Sequence, residues 1–413
     1  MAKNKLMILG ASPFFKDAYE YANFNNIYTV AIDQKNKDYA ICKNIANKSF
    51  EISTQDYKAL SEIILNESIN GIYVGASETN MPIAIQLSEE FNIPFYCSER
   101  LWNIATNKRV FKEMCMKYEI NVTPFFNINI ENYLSEANTI PYPVVTKPVD
   151  NNGSTGITIC NNSLEFISGF MKAYNNSISN DVLVEKYINM DSTIIHYTMI
   201  NGKAYFSGMS DKISRKISSE GAPVMALQYF PSNNQKLFFN EYEKKVSYML
   251  ESEGFKNGPI WIEAFSDGKD LIFNEMGYRF GGSMTYHPVE YFTGLNQISL
   301  LINHTLNNSE KSFQYDLKNT NKIYCIAPIH IYPGTIMKVS GLDDLNQIDG
   351  FHALAQCHVE GDLIESSGNV HQVFCYLHLL ADSKGEINAI IDDILNHISV
   401  KNTENDDMLF RII

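Results

Sequence analysis

Between Gly258 and Gly282 the chain runs GPIWIEAFSDGKDLIFNEMGYRFGG, two apolar stretches joined by Ser266-Asp267-Gly268-Lys269. A turn of that chemistry between β-type runs predicts an antiparallel hairpin. Each arm carries one carboxylate in otherwise apolar surroundings, Glu263 before the turn and Glu275 after it. A hairpin register places the two on one face as neighbours. Like charges brought together in an apolar setting repel, and each is costly to desolvate. A cation must share the site. With no histidine or cysteine at hand, an oxygen-only donor set selects magnesium, which keeps waters and bridges substrate phosphates. Arg279, just before Gly281-Gly282, is then placed to bind the oxygens of a transferring phosphoryl group. The competing explanation is a structural ion pair between Glu275 and Arg279.

Two further segments carry phosphate-type chemistry. In YPVVTKPVDNNGSTGITIC, 142–160, two apolar runs flank a loop with Gly153, Ser154, Thr155 and Gly156. Small residues let backbone N–H groups close over an oxyanion, and Lys147 supplies a point charge beside them. A plain turn has the same composition. In DVLVEKYINMD, 181–191, an apolar run ends in Glu185, Lys186 and Asp191, groups suited to an adenine edge and ribose hydroxyls. A solvated strand end is the alternative.

Upstream, LMILG (6–10), TVAID (29–33) and GIYVG (71–75) alternate with helical patterns at 54–66 and 80–92, the signature of a parallel sheet wrapped by helices. Thr54 is the expected N-cap of the first of these helices. Gly10 and Asp33 suggest a dinucleotide site, but the turn GASPFF lacks the further glycines that a pyrophosphate needs. GASE at 75–78 offers Ser77 and Glu78 to a small substrate, or simply caps a helix. Residues 107–118 predict a helix with Val110, Phe111, Met114, Cys115 and Tyr118 on one face, and Pro124 opens a new unit. The tail shows strand-like runs at 322–330, 335–339, 353–359 and 371–381. It ends in a helix, 384–398, with an isoleucine stripe.

A chain of 413 residues with 45% hydrophobic and 19% charged residues can bury a large core in several domains. A net charge of −14 argues against a duplex nucleic acid or an anionic membrane as partner. Seven scattered cysteines without C-x-x-C spacing fit a reducing compartment, here the cytoplasm, and no apolar run is long enough to span a bilayer.

Taken in order, these segments resemble the ATP-grasp superfamily, in the branch with carbamoyl-phosphate synthetase large chains and L-amino-acid ligases. The match runs from Lys108 at a helix start through Lys147 with its glycine loop and VEKYI to Glu263, Glu275 and Arg279 before GG. The resemblance implies an α/β and α+β chain in three parts. These are an open parallel α/β domain at 1–105, an ATP-grasp domain at 106–312 with a lid at about 122–188, and a small β-rich domain at 313–413.

It implies that Lys108 and Lys147 contact ATP phosphates under the loop of Gly153, Ser154 and Gly156. Glu185, with the backbone around Lys186 and Ile188, would hold adenine, with Asp191 on ribose and Phe273 against the base. Glu263 and Glu275 would ligate magnesium, with manganese as a substitute. The family's usual asparagine two residues after the second glutamate is Gly277 here. The implied activity is an ATP-dependent carboxylate–amine ligase working through an acyl phosphate, with Arg279 and Lys147 catalytic. Its substrates would be a small carboxylate and an amine, amino acids foremost; the oligomer is left open, with a homodimer as one candidate. Bicarbonate activation, a degenerate nucleotide-binding protein and an NAD-dependent oxidoreductase are the competing classes. On the substrate side, Lys212, Arg215 and Lys216 in SDKISRKISSEGAP suggest a solvated loop or an acceptor wall. His287 suggests a packed ring.

Overall fold

The computed structural model describes residues 4–151, 155–217, 223–308, 313–318, 320–366, 368 and 370–410. Gly153 and Ser154 lie outside the described residues.

The chain opens as a four-stranded parallel sheet in the order Lys48–Phe50, Tyr28–Ile32, Lys5–Leu9, Gly71–Tyr73. Leu6, Met7, Ile8 and Leu9 are all fully buried, as a strand covered on both faces requires. The features that suggested a dinucleotide turn have a structural use. Gly10 sits at φ +136°, where side chains are strained, and Asp33 Oδ2 accepts the Ala11 N–H at 3.0 Å. The helix expected from 54 starts at Tyr57, and its N-cap is Asp56, whose side chain accepts the Ala59 N–H. Thr54 is no cap; its hydroxyl donates to Asn80 Oδ1 at 2.9 Å.

A second four-stranded sheet has the order Phe125–Phe126, Val182–Lys186, Val144–Pro148, Thr158–Cys160, all antiparallel. The two apolar runs that flank the glycine loop are therefore paired strands. The helix Ser163–Asn176 covers one face, and Gly169 lets it pack closely. A Cβ there would stand 2.8 Å from Thr146 Oγ1 and 2.9 Å from Cys160 Sγ. Phe166, Phe170, Val144, Cys160, Val182 and Val184 form a core belonging to this unit alone, with Tyr133 stacked on Phe170 at 4.6 Å. Because side chains alternate, Val145, Lys147 and Glu185 project from the opposite face. That face is the one left for a ligand.

The third sheet has nine strands. Its path is Leu271–Gly277, Gly258–Ser266, Ser192–Ile200, Lys203–Arg215, Val224–Phe230, Ile323–Ile331, Val373–Ala381, Phe351–Gln356, with Leu409–Phe410 added beside Ile323–Ile331. Residues 210–215, read as a solvated loop or an acceptor wall, are the end of the strand Lys203–Arg215. The tail's strands do not stand apart: Val224–Phe230 pairs directly with Ile323–Ile331, so one sheet crosses the boundary drawn at 313. The terminal helix Lys384–His397 buries Ile387, Ile391 and Ile394 against this region. No helix among the described residues is long and apolar enough to cross a membrane.

The separate core of the second sheet has a measurable consequence. Phe170→Ala is expected to cost about 3–5 kcal/mol of that unit's stability. In hydrogen exchange, amides of 144–148 and 182–186 should lose protection while those of 323–331 keep theirs. Equal loss in the second sheet and in 323–331 would contradict an independent core.

Candidate functional site

The hairpin forms as its turn predicts, Gly258–Ser266 against Leu271–Gly277, and Glu263 is paired directly with Glu275. The register shifts immediately after that pair, so that Ala264 faces Phe273 and Asn274 is the extra residue of a β-bulge. The bulge decides which side chains reach the site. Strict alternation would put Phe273 on the same face as Glu275, available to an adenine ring. Instead Phe273 is fully buried in the core, its ring 5.5 Å from that of Tyr242, and it lines neither of the two cavities at the glutamates. Asn274 takes the place facing the cleft, where its Oδ1 accepts from Lys147 Nζ at 3.0 Å.

Each carboxylate of the cleft has its own lysine. Lys212 Nζ is 2.7 Å from Glu263 Oε1, and Lys108 Nζ is 3.7 Å from Glu275 Oε2 while it donates to Asn151 O at 2.7 Å. Glu185 is not a solvated strand end: it is buried between Lys147, 2.5 Å from Oε2, and Lys112, 2.7 Å from Oε1. Arg279 pairs with Glu78, not Glu275, which removes the simple structural explanation of the acid and the arginine in that segment. His287 Nε2 lies 3.1 Å from Asp17 Oδ2, away from both cavities described below.

Lys112 escaped the sequence reading. It lies four residues after Lys108 on the helix Lys108–Lys117 and is fully buried, on a face that was read from its apolar members. The recurrence of lysine at i and i+4 beside Phe111 and Cys115 was the available signal. Trp261 and Asn274 were also missed, because only a cross-strand register and its bulge bring them to the site.

Two cavities meet at the glutamates. The first, about 550 Å³, is lined by Lys147, Glu185, Lys186, Ile188, Asp191, Lys212 and Glu263, with Phe265 and Arg215. It gathers five of the residues expected around a nucleotide, Lys147, Glu185, Lys186, Ile188 and Asp191. The second, about 230 Å³, is lined by Lys108, Glu275, Gly277 and Arg279 together with Glu78, Trp102 and Trp261. Glu263 belongs to one and Glu275 to the other.

Burial pushes the Glu185 carboxyl up, but the two lysines outweigh it and hold the group below the ordinary carboxylate value. Glu263 behaves likewise through Lys212, whose own value is raised because Glu263 outweighs burial. Lys112 goes the other way: burial, only partly offset by Glu185, brings it down to about 8. As donors, Glu263, Glu275 and Asn274 offer hard oxygens only. Among the described residues no cluster of three acidic, histidine or cysteine side chains stands ready-made for a metal. Two carboxylates completed by water and phosphate is the usual magnesium arrangement, so the residues fit that ion.

Residues 107–200 match the family described as the ATP-binding domain of the carbamoyl-phosphate synthase L chain. A relative in sequence is the formate-dependent phosphoribosylglycinamide formyltransferase of Wolinella succinogenes, 23% identical over 279 residues, 67% of this chain and 70% of that one. Among solved structures, the biotin carboxylase domain of the Hydrogenobacter thermophilus 2-oxoglutarate carboxylase superposes with TM-score 0.79 at 18% identity, covering 98% of this chain and 91% of that one. The L-amino acid ligase from Bacillus licheniformis superposes with TM-score 0.76 at 17% identity, covering 97% and 99%. What they share with this chain is the mixed α/β fold of several sheets described above.

The buried charges set the pH response. Glu185, with its value lowered on folding, contributes stability fully present above the ordinary 4.5 and lost as pH falls through the folded value. Lys112, lowered from 10.5 to about 8, acts in the opposite sense: between those values the unfolded chain holds the extra proton, so its term favours folding more as pH rises. Glu185→Gln should cost about 3–5 kcal/mol at neutral pH by leaving two buried ammonium groups without an anion. Thermal melts across pH 3–7 should show the variant with a flatter acid limb than the parent; parallel curves would contradict the assignment.

Proposed function

We propose, from the premise that this chain is an ATP-grasp protein, that it is an ATP-dependent carboxylate–amine ligase releasing ADP and phosphate. The observation that carries this is the Glu263–Glu275 pair standing where two cavities meet, one glutamate lining each. A nucleotide in the first cavity and a small acid in the second would bring the transferring phosphate and its acceptor together at that pair.

In this reading the backbone around Lys186 and Ile188 holds adenine and Asp191 the ribose. Glu185, both of whose oxygens are engaged by lysines, places Lys147 instead of contacting the base. Lys147 has three N–H groups, and Glu185 and Asn274 take two, so the third points to a phosphate oxygen. Lys108 is held in the same way by Asn151 O and Glu275. Glu263 and Glu275 would hold magnesium, which would neutralise charge on the phosphate oxygens.

The substrate carboxylate oxygen attacks the γ-phosphorus, the bond to the bridging oxygen breaks, and ADP leaves with that electron pair. The amine nitrogen then attacks the acyl carbon, Arg279 stabilises the oxyanion, and phosphate departs as the nitrogen loses a proton. Positioning and charge do most of the work, consistent with the absence of any proposed nucleophilic side chain. The uncovered face of the second sheet, turned to the first cavity, would keep water from the acyl phosphate.

Glu275→Ala is expected to lower magnesium-dependent ADP formation about a hundredfold or more. Its circular dichroism should match the parent. ADP release measured with amino acids, other carboxylates and bicarbonate, each with and without an amine, checks the reaction class. Turnover with bicarbonate as sole acceptor would replace the ligase reading by a carboxylating one, and undiminished turnover in the variant would sink the metal assignment.

A further inference from the structure

Two carboxylates on paired strands require a cation, and the chain supplies one of its own. Lys212, on the strand Lys203–Arg215, is paired with Ser192, and Glu263 is paired with Ile194 two residues along the intervening strand. Both therefore stand on one face of the sheet, and Lys212 reaches across Ser192–Ile200 to put its Nζ 2.7 Å from Glu263 Oε1. The charge of Glu275 reaches the same ammonium. A lysine head thus sits against the carboxylate expected to carry a divalent ion.

Four lysines serve the cleft, and they are not held alike. The side chains of Lys112, Lys147 and Lys108 are 0%, 6% and 10% exposed, and each has two anchors. Lys112 has Glu185 and, at 3.5 Å, Phe273 O; Lys147 has Glu185 and Asn274; Lys108 has Asn151 O and Glu275. Lys212 is 26% exposed, and its one acceptor among the described residues is Glu263. Two of its three N–H groups are left for the first cavity, which it lines together with Arg215. A lysine on a single anchor, open toward the place of the phosphates, is the one that can change partners.

We propose that Lys212 is a positioning residue that stands in for the metal. Until a nucleotide binds, its ammonium neutralises Glu263 and keeps a divalent ion off that carboxylate; the nucleotide's phosphates then draw it away. The inference rests on the assignment of Glu263 and Glu275 to magnesium and adds an order of binding to it. An ion that needs Glu263 must first break the pair, so its apparent affinity falls by the fraction of molecules in which the carboxylate is free. Phosphate oxygens offer the ammonium a second anion and remove that penalty. Glu275, 30% exposed and 3.7 Å from its lysine, is held more loosely, so the control lies at Glu263.

Manganese(II) is the probe, its free ion counted by electron paramagnetic resonance with no turnover involved. Without nucleotide the parent should bind it weakly, and Lys212→Met should bind it about tenfold or more tightly, because the competing cation is gone. Lys212→Arg, which keeps the charge, should behave as the parent. Adding Glu263→Gln to Lys212→Met should abolish the gain. With EDTA present, AMP-PNP should bind the parent more tightly than Lys212→Met. Lys212→Gln, measured alongside, guards against a folding defect in the methionine variant. Neutral variants with the parent's nucleotide-free manganese affinity, or an arginine variant that shares the gain, would overturn the proposal. If manganese nevertheless binds in the presence of AMP-PNP, the metal assignment survives that result. No manganese bound to the parent even with AMP-PNP would remove the assignment and the proposal together.

Discussion

Glu185 is buried, and a buried carboxylate persists only with compensating charge. Its two lysines come from different places, Lys147 from the neighbouring strand of the second sheet and Lys112 from the helix Lys108–Lys117. Lys147 continues to Asn274 on the hairpin. One chain of charge and hydrogen bonding therefore ties the second sheet, the helix beneath it and the hairpin of the large sheet. The orientation of the cleft depends on this chain, because moving any one of the three elements away takes a partner from Glu185 or from Lys147. Such buried contacts are screened far less by salt than surface pairs are.

The β-bulge at Asn274 is the second constraint. By adding one residue after the glutamate pair, it turns Asn274 toward Lys147 and sends Phe273 into the core. The same hairpin thus supplies an amide oxygen from an unexpected position, one residue before the second glutamate, while the position two residues after it is held empty by Trp261.

Much of this was legible in the residues. Turn chemistry at 266–269 was enough to predict the hairpin, but counted outward from Ser266 and Leu271 the register would oppose Glu263 to Asn274, and it is the bulge that brings Glu275 opposite. The parallel sheet of the first hundred residues and the isoleucine stripe of the last helix followed from periodicity. What escaped shares one cause: it depends on contacts between elements or on a local break in period. Phe273 was set against the base by the resemblance alone, while a bulge that no composition announces goes with a ring buried in the core. Lys112 was passed over because a charged side chain on an apolar helix face is explained only by the carboxylate it meets from another sheet. Thr54 lost its capping place to Asp56, two residues on and chemically as good.

The pairing of Val224–Phe230 with Ile323–Ile331 also bears on how the chain is to be divided. A fragment ending near residue 312 would not be a tidy catalytic half. It would present the edge of Val224–Phe230 over Gln228, Tyr229 and Phe230, which pair with Ile323–Ile331 in the full chain, to any other strand in solution. Expressed alone, such a piece is a template for self-association, and the last hundred residues act as the built-in cover that prevents it.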